Sequence, residues 1–198
     1  MYIGIIGRMN EDKITFNQEI INVINKYNCI PIGIIVDFNN EPNKEFIKIK
    51  NLIDICDGFI LQGGSDYYDI DILITKYLYD KNIPTLGICL GMQTMAMTFN
   101  GAMDDIDNHK SLNKYVHEVN INPNSKLYSI IKKNKILVNS RHKSYVVNTD
   151  LSVSATNNII EAIEDKNKNF FIGVQWHPES LMDENSILLF NSFFSNIN

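Results

Sequence analysis

The stretch Ile83-Pro-Thr-Leu-Gly-Ile-Cys-Leu-Gly-Met-Gln93 decides how the rest of this chain is read. Residues 84–88 form an apolar run as long as a short buried strand, and Met92, Met95, Ala96 and Phe99 recur behind it at helical spacing. Cys89 therefore sits on the turn between a strand and a helix. Gly87 and Gly91 flank it at minus and plus two, the spacing of the nucleophile elbow GxSxG with Cys in place of Ser. So sharp a turn crowds backbone against backbone, and residues without a side chain relieve the crowding. A thiol held there stands out from the sheet near a helix N-terminus, whose partial positive charge favours the thiolate. The alternative for Cys89 is a buried structural cysteine, the usual place of a free thiol.

Outward from this elbow the same rhythm repeats. Apolar runs at 2–6, 31–36 and 58–61 alternate with helical faces made by Phe16, Ile20, Ile24 and Tyr27, by Phe46, Ile49, Ile53 and Cys56, and by Ile70, Leu73, Ile74 and Tyr77. This βαβα order predicts an α/β fold with a mostly parallel central sheet, helices on both faces and right-handed crossovers. Chemistry in such sheets gathers at the carboxyl ends of the strands, where both Cys89 and Leu61-Gln-Gly-Gly-Ser-Asp66 lie. After Gly101 the rhythm changes. Residues 104–113 are polar and read as a loop, while 115–121, 135–139, 152–156, 160–163 and 170–175 are strand-like with no long helix between them, which predicts an antiparallel or mixed extension of the sheet. Residues 183–194 close the chain as a helix capped near Asp183.

Composition narrows the function. A length of 198 residues suits one domain spanning 1–198. Net charge is 18 − 23 = −5, and the short basic run 132–135 reads as a solvated turn, so neither nucleic acid nor an anionic membrane is expected as a partner. No run reaches the length of a membrane span, and the apolar start at 1–7 reads as a first strand rather than a leader. Cys29, Cys56 and Cys89 are too few and too scattered for a disulfide framework, which points to the reducing cytoplasm. The abundance of Asn and Ile reads as a base-composition bias.

A nucleophilic cysteine needs a base and a group that orients the base. His177 ends the run 170–176, and Glu179, two residues on, projects to the same side in an extended chain, where it can fix the imidazole. The oxyanion formed on attack calls for aimed donors, here the backbone N–H of Leu90 and one from Gly63 or Gly64. A satisfied loop histidine and a plain strand-to-helix turn are the simpler readings of these two groups. The histidines at 109, 117, 142 and 177 show no HExxH spacing. No metal or organic cofactor is expected, and His109 and His117 read as solvent-facing.

Taken with Tyr2-Ile-Gly-Ile-Ile-Gly-Arg8, Val138-Asn-Ser-Arg-His142, Ile160-Glu-Ala-Ile-Glu164 and Gly173-Val-Gln-Trp-His-Pro-Glu179, these motifs resemble, nearly end to end, the class I glutamine amidotransferase-like hydrolases. The resemblance is strongest to the peptidase C26 branch that includes γ-glutamyl-γ-aminobutyrate hydrolase. It implies the flavodoxin-like fold of that class, Cys89 as nucleophile, His177 as base and acid, Glu179 as orienting carboxylate, and an oxyanion hole at Leu90, Gly63 and Gly64. It places Gln93 against the glutamyl group and Asn139, Ser140 and His142 in a substrate-side motif. The implied reaction cleaves a small γ-glutamyl amide through a Cys89 thioester. The rival readings are an ammonia-supplying glutaminase subunit with a separate synthetase partner, and a catalytically silent binding module on the same fold.

Three departures bear on substrate. The loop after Gly64 is short, Leu90 stands where the hydrolase branch often has Arg, and Arg141-His-Lys-Ser144 replaces its paired histidines and Gln. Arg141 and Lys143 are either surface charges or, if they point inward, partners for an anionic leaving group.

Overall fold

Two helices of the first half begin on a residue whose side chain satisfies free N–H groups of the first turn. Asn17 caps the helix Gln18–Lys26 by accepting from the Glu19 N–H, and Glu41 accepts from Asn43 and Lys44 ahead of Pro42–Asp54, which starts on a proline. Such caps stabilise a helix by about 1 kcal/mol each. Helices end as locally. Asn28, Asn82 and Asn100 follow three of them with φ between 54° and 55°, a left-handed conformation that asparagine tolerates better than other side-chain-bearing residues. Part of the asparagine content thus does structural work that a composition bias alone does not describe.

The computed structural model describes residues 1–107 and 109–197. Its first half runs β1 (Tyr2–Ile6), β2 (Arg8–Asn10), β3 (Lys13–Thr15), α1 (Gln18–Lys26), β4 (Ile30–Ile34), α2 (Pro42–Asp54), β5 (Gly58–Leu61), α3 (Asp69–Asp80), β6 (Thr85–Ile88) and α4 (Leu90–Thr98). The second half adds β7 (Ala102–Asp105), β8 (His117–Ile121), α5 (Lys126–Ile131), β9 (Lys135–Val138), β10 (Ser144–Asn148), β11 (Ser152–Asn157), β12 (Ile159–Glu164), β13 (Phe171–Val174), α6 (Pro178–Leu181) and α7 (Glu184–Ser195).

Eleven of these strands form one sheet with a main order β4-β1-β5-β6-β13-β12-β11-β8-β9. Pairing is parallel from β4 to β13 and antiparallel from β13 onward. Both halves of the expected sheet are therefore present. Alternation along the strands feeds two cores: Ile3, Ile5 and Ile60 pack with α1, α5 and α7, while Ile6, Phe59 and Leu61 pack with α2, α3 and α4. α7 is capped by Asp183, whose carboxylate accepts from the Ser186 N–H.

Three features depart from the sequence reading. β2 and β3 form a small hairpin, and β7 and β10 pair with each other on a branch from β12. Asp104 and Asp105 of the expected loop at 104–113 thus belong to a strand, opposite Tyr145 and Ser144; Asn108 of that loop lies outside the described residues, as does Asn198. β7 and β10 escape detection because neither bears a run of core side chains: β7 ends in two exposed aspartates, and in β10 only Val146 is buried.

Candidate active site

The chemistry of the site starts from the backbone of Cys89. β6 is buried along all four residues and hydrogen-bonds in parallel to β5 and β13. The chain then reverses into α4 within one residue, which leaves Cys89 at φ 53°, ψ −107°. An L-residue in this region is strained, and the surroundings hold it: the Cys89 N–H donates to Val174 O at 2.8 Å, and its carbonyl accepts from the Gln93 N–H at 3.1 Å. Neither flanking glycine has positive φ. Their role is close approach. A Cβ on Gly91 would stand 2.0 Å from Leu61 O, and one on Gly87 2.4 Å from Met95 Sδ and 2.8 Å from the Gly91 carbonyl carbon.

His177 follows β13 and caps α6, so the strand beside the elbow delivers the imidazole next to the thiol. Its Nδ1 lies 2.7 Å from Glu179 Oε1, and that carboxylate oxygen also accepts from Asn17 Nδ2 at 3.2 Å. Burial alone would push His177 down; hydrogen bonds to Cys89 and Glu179, and the charges of both, outweigh it and raise the imidazole from 6.5 to about 10. His177 therefore stays protonated across the neutral range. All three cysteines are buried, but the Cys29 and Cys56 thiols donate to the backbone carbonyls of Tyr27 and Leu52; burial raises the Cys29 thiol, and Cys56 is pushed up to about 12 by burial and the charge of Asp57.

Gly63 and Gly64 complete this corner. A Cβ on Gly63 would meet His177 Cε1 at 3.1 Å and Cys89 Cβ at 3.7 Å, and one on Gly64 would meet Leu90 Cδ2 at 2.9 Å. Beneath them Arg8 is buried and pairs with Asp71 of α3 at 2.7 Å, fixing the loop from below. Leu90 opens α4, where the first N–H groups have no partner within the helix. The sulfur has one further contact, Gln175 Nε2, which donates to Cys89 Sγ at 3.6 Å. Gln175 is itself held by Gln93, whose Nε2 donates to Gln175 Oε1 at 3.2 Å and to Ser144 O at 2.8 Å.

Cys89 and Gln93 open onto a cavity of about 780 Å³ that is also lined by Gly64, Asp105, Arg141 and Lys143. Of the substrate-side residues expected from sequence, Arg141 and His142 line this cavity. Asn139 does not face it. Its Oδ1 accepts from the His177 N–H at 2.7 Å and its Nδ2 donates to the His177 carbonyl at 3.0 Å, so the whole amide is spent on the backbone of the histidine. Ser140 is fully buried away from the cavity, and its carbonyl accepts from the Ser111 N–H. Arg141 Nη1 donates to Ser180 Oγ at 2.9 Å, and Lys143 also lines the cavity. The expectation that His109 and His117 face solvent is overturned: both are largely buried and turn towards Glu161.

Asn17, Gln62 and Gln175 were not singled out in the sequence. Asn17 and Gln62 are linked, the Asn17 N–H donating to Gln62 Oε1 at 2.7 Å, and nothing short of the fold reveals that a helix cap is also a contact of Glu179. Gln175 was legible in principle, since it stands two residues before His177 in a buried strand where a polar side chain needs a partner.

The Asn139 clamp makes a testable prediction. Asn139→Ala should lower kcat by about 10- to 100-fold with little change in KM, because it frees the histidine without touching the cavity. Steady-state kinetics on a γ-glutamyl amide reads the split, and a rise in KM alone would contradict it.

The model of the family described as peptidase C26 matches residues 67–179, more than half of the chain. A GMP synthase [glutamine-hydrolyzing] of Francisella tularensis subsp. holarctica is 33% identical over 145 residues, 71% of this chain and 27% of that protein, so the chain spans about a quarter of the length of such curated relatives. Among solved structures, the glutaminase domain of Trypanosoma brucei CTPS with bound acivicin superposes with a TM-score of 0.72 at 20% identity, over 100% of this chain and 94% of that one. A glutamine amidotransferase from Thermotoga maritima gives a TM-score of 0.65 at 16% identity over 98% and 84%. With its elbow, its strand order and this match in view, the chain belongs to the peptidase C26 family of class I glutamine amidotransferase-like proteins.

Proposed function

We propose that the protein is a cysteine hydrolase that cleaves the amide of a small γ-glutamyl compound through a thioester on Cys89, releasing glutamate and an amine. The observation that supports it most is the convergence of His177 and Glu179 behind Cys89, which itself lines a cavity larger than a glutamyl group needs. The thiolate of Cys89 attacks the γ-carbonyl, and the oxyanion is received by N–H groups at Leu90 and the 63–64 turn. Protonated His177 gives its proton to the departing amine, which breaks the C–N bond and leaves the glutamyl thioester. Neutral His177 then takes a proton from the water that attacks the thioester, and glutamate leaves with the thiolate restored. Glu179 stabilises the imidazolium throughout, and Gln175 Nε2 supplies a donor to the sulfur. Arg141, Lys143 and Lys110 on the cavity wall, set against Asp105 and Asp107, fit a leaving group with an anionic portion.

A second reading is an ammonia-supplying glutaminase that works with a synthetase. Similarity to a GMP synthase and Leu90 directly after the nucleophile favour it. Assaying the isolated chain for glutamate release from glutamine and from a panel of γ-glutamyl amines, phosphate-bearing ones included, separates the two. Fast release from an amine conjugate with near-zero glutamine turnover supports hydrolysis, whereas activity on glutamine that appears only with a synthetase overturns it.

The charge state of His177 sets the pH profile. With a folded value near 10 against 6.5 when unperturbed, the proton is retained through neutrality, while the stabilisation it brings is full below about pH 6.5 and is lost progressively as pH rises to about 10. The alkaline limb of kcat/KM should therefore lie near pH 10, and Glu179→Gln should draw it down. A wild-type limb near an ordinary imidazole value would contradict the assignment.

A further inference from the structure

Three histidines and a glutamate that the reaction does not use meet at the rim of the same cavity. Glu161 of β12 is fully buried, and among the described residues its ion-pairing neighbours are two imidazoles, with no Lys or Arg in reach. His117 Nε2 lies 2.8 Å from Glu161 Oε1, and His109 Nε2 lies 3.8 Å from the same oxygen. The His109 ring lies 4.6 Å from that of His142 and 4.9 Å from that of His117, tilted by 59° and 42°.

Several side-chain atoms in this cluster are unspent, and those of His142 and Glu161 are electron-pair donors. His142 Nδ1 lies 3.0 Å from Ser144 O, and since a carbonyl only accepts, Nδ1 bears the hydrogen and Nε2 presents its lone pair. That Nε2, His109 Nε2 and Glu161 Oε2 are buried without a hydrogen-bond partner among the described residues. Left so, each would cost free energy.

We propose that His109, His142 and Glu161 form a binding site for one divalent transition-metal ion of the zinc class, with His117 as the residue that orients the carboxylate. One ligand atom from each of the three lies within 4.8 Å of the other two. Metal–ligand bonds of about 2.0–2.2 Å place tetrahedral ligands roughly 3.4 Å apart, so side-chain rotations of about 1 Å close the site. Two imidazoles and one carboxylate suit zinc and its neighbours, whereas calcium and magnesium take oxygen ligands. The Ser144 carbonyl on His142 and the His117 imidazole on Glu161 are the outer contacts that fix ligands of this kind. Because His109 and His142 line the cavity, the ion has an entry path and a fourth position open to water or to a ligating atom of a bound molecule.

The test uses the full chain bearing Cys89→Ala, which removes a competing thiolate, titrated with zinc alone against a chromophoric chelator. One zinc per chain and a higher melting temperature in its presence are expected. Glu161→Gln and His109→Asn, each added to Cys89→Ala, should weaken zinc binding at least 100-fold, and His117→Gln about 10- to 100-fold. His109→Asn keeps the test valid if loss of buried Glu161 harms folding. Absence of stoichiometric zinc, or zinc binding unchanged by His109→Asn, overturns the proposal. The readout is metal binding by a chain without its nucleophile, so it stands or falls apart from any hydrolytic activity.

Discussion

Replacing Cys89 with alanine should lower turnover of a γ-glutamyl amide by about 10⁴-fold or more while leaving the fold intact. The size of the effect follows from geometry. His177 and Gln175 turn towards this one sulfur, Glu179 holds the imidazole from its other nitrogen, and Cys29 and Cys56 are buried thiols shifted upward that cannot replace it. Alanine also fits the site with one atom fewer, although it inherits the strained φ of 53°. Glutamate release and thermal melting, measured side by side, check both halves of the expectation. A residual rate within tenfold of wild type would mean that another group makes the attack. Glu179→Gln should cost less, because it leaves the imidazole in place and removes only its charge partner.

The second large effect is on stability. Gly91→Ala should destabilise the protein by about 3 kcal/mol or more, a large part of the roughly 5–15 kcal/mol that holds a typical domain together. The new Cβ would lie 2.0 Å from Leu61 O, 2.7 Å from Leu61 C and 2.8 Å from Leu61 Cβ. Those are backbone atoms and a Cβ of a central strand, so nothing can rotate away; α4 must lift from β5, and Cys89 moves with it. The melting temperature should fall by about 10 °C, with low soluble yield as the extreme outcome. Gly58→Ala is the control. Its Cβ would press on the Ile197 side chain, whose Cδ1 at 2.8 Å is the end of a flexible group near the end of the chain, and it should cost far less. Equal losses in the two variants would show that the elbow tolerates a side chain after all.

Much of this architecture was legible because its parts are local. The elbow spacing, the cap at Asp183, and the alternation of β and α up to Phe99 each follow from residues within a few positions of one another. The histidine and its carboxylate were legible for the same reason, being two apart. The rest depends on contacts distant in sequence. Asn139 reads as a residue for substrate until the fold brings it 38 positions along the chain to both ends of the His177 peptide unit. His109 and His117 read as polar and exposed, and only the β12 strand, arriving with Glu161, makes them partners. β10 has a single buried side chain, so pairing with β7 rather than burial defines it.

The central claim is that Cys89, alone among the cysteines, is the nucleophile that takes a glutamyl group. Treating the protein with a glutamine-like chloroketone and mapping the modified peptide tests this directly. A single adduct on Cys89, slowed when His177 is replaced, is expected; an adduct at Cys29 or Cys56 at the same rate, or no adduct at all, would contradict the assignment.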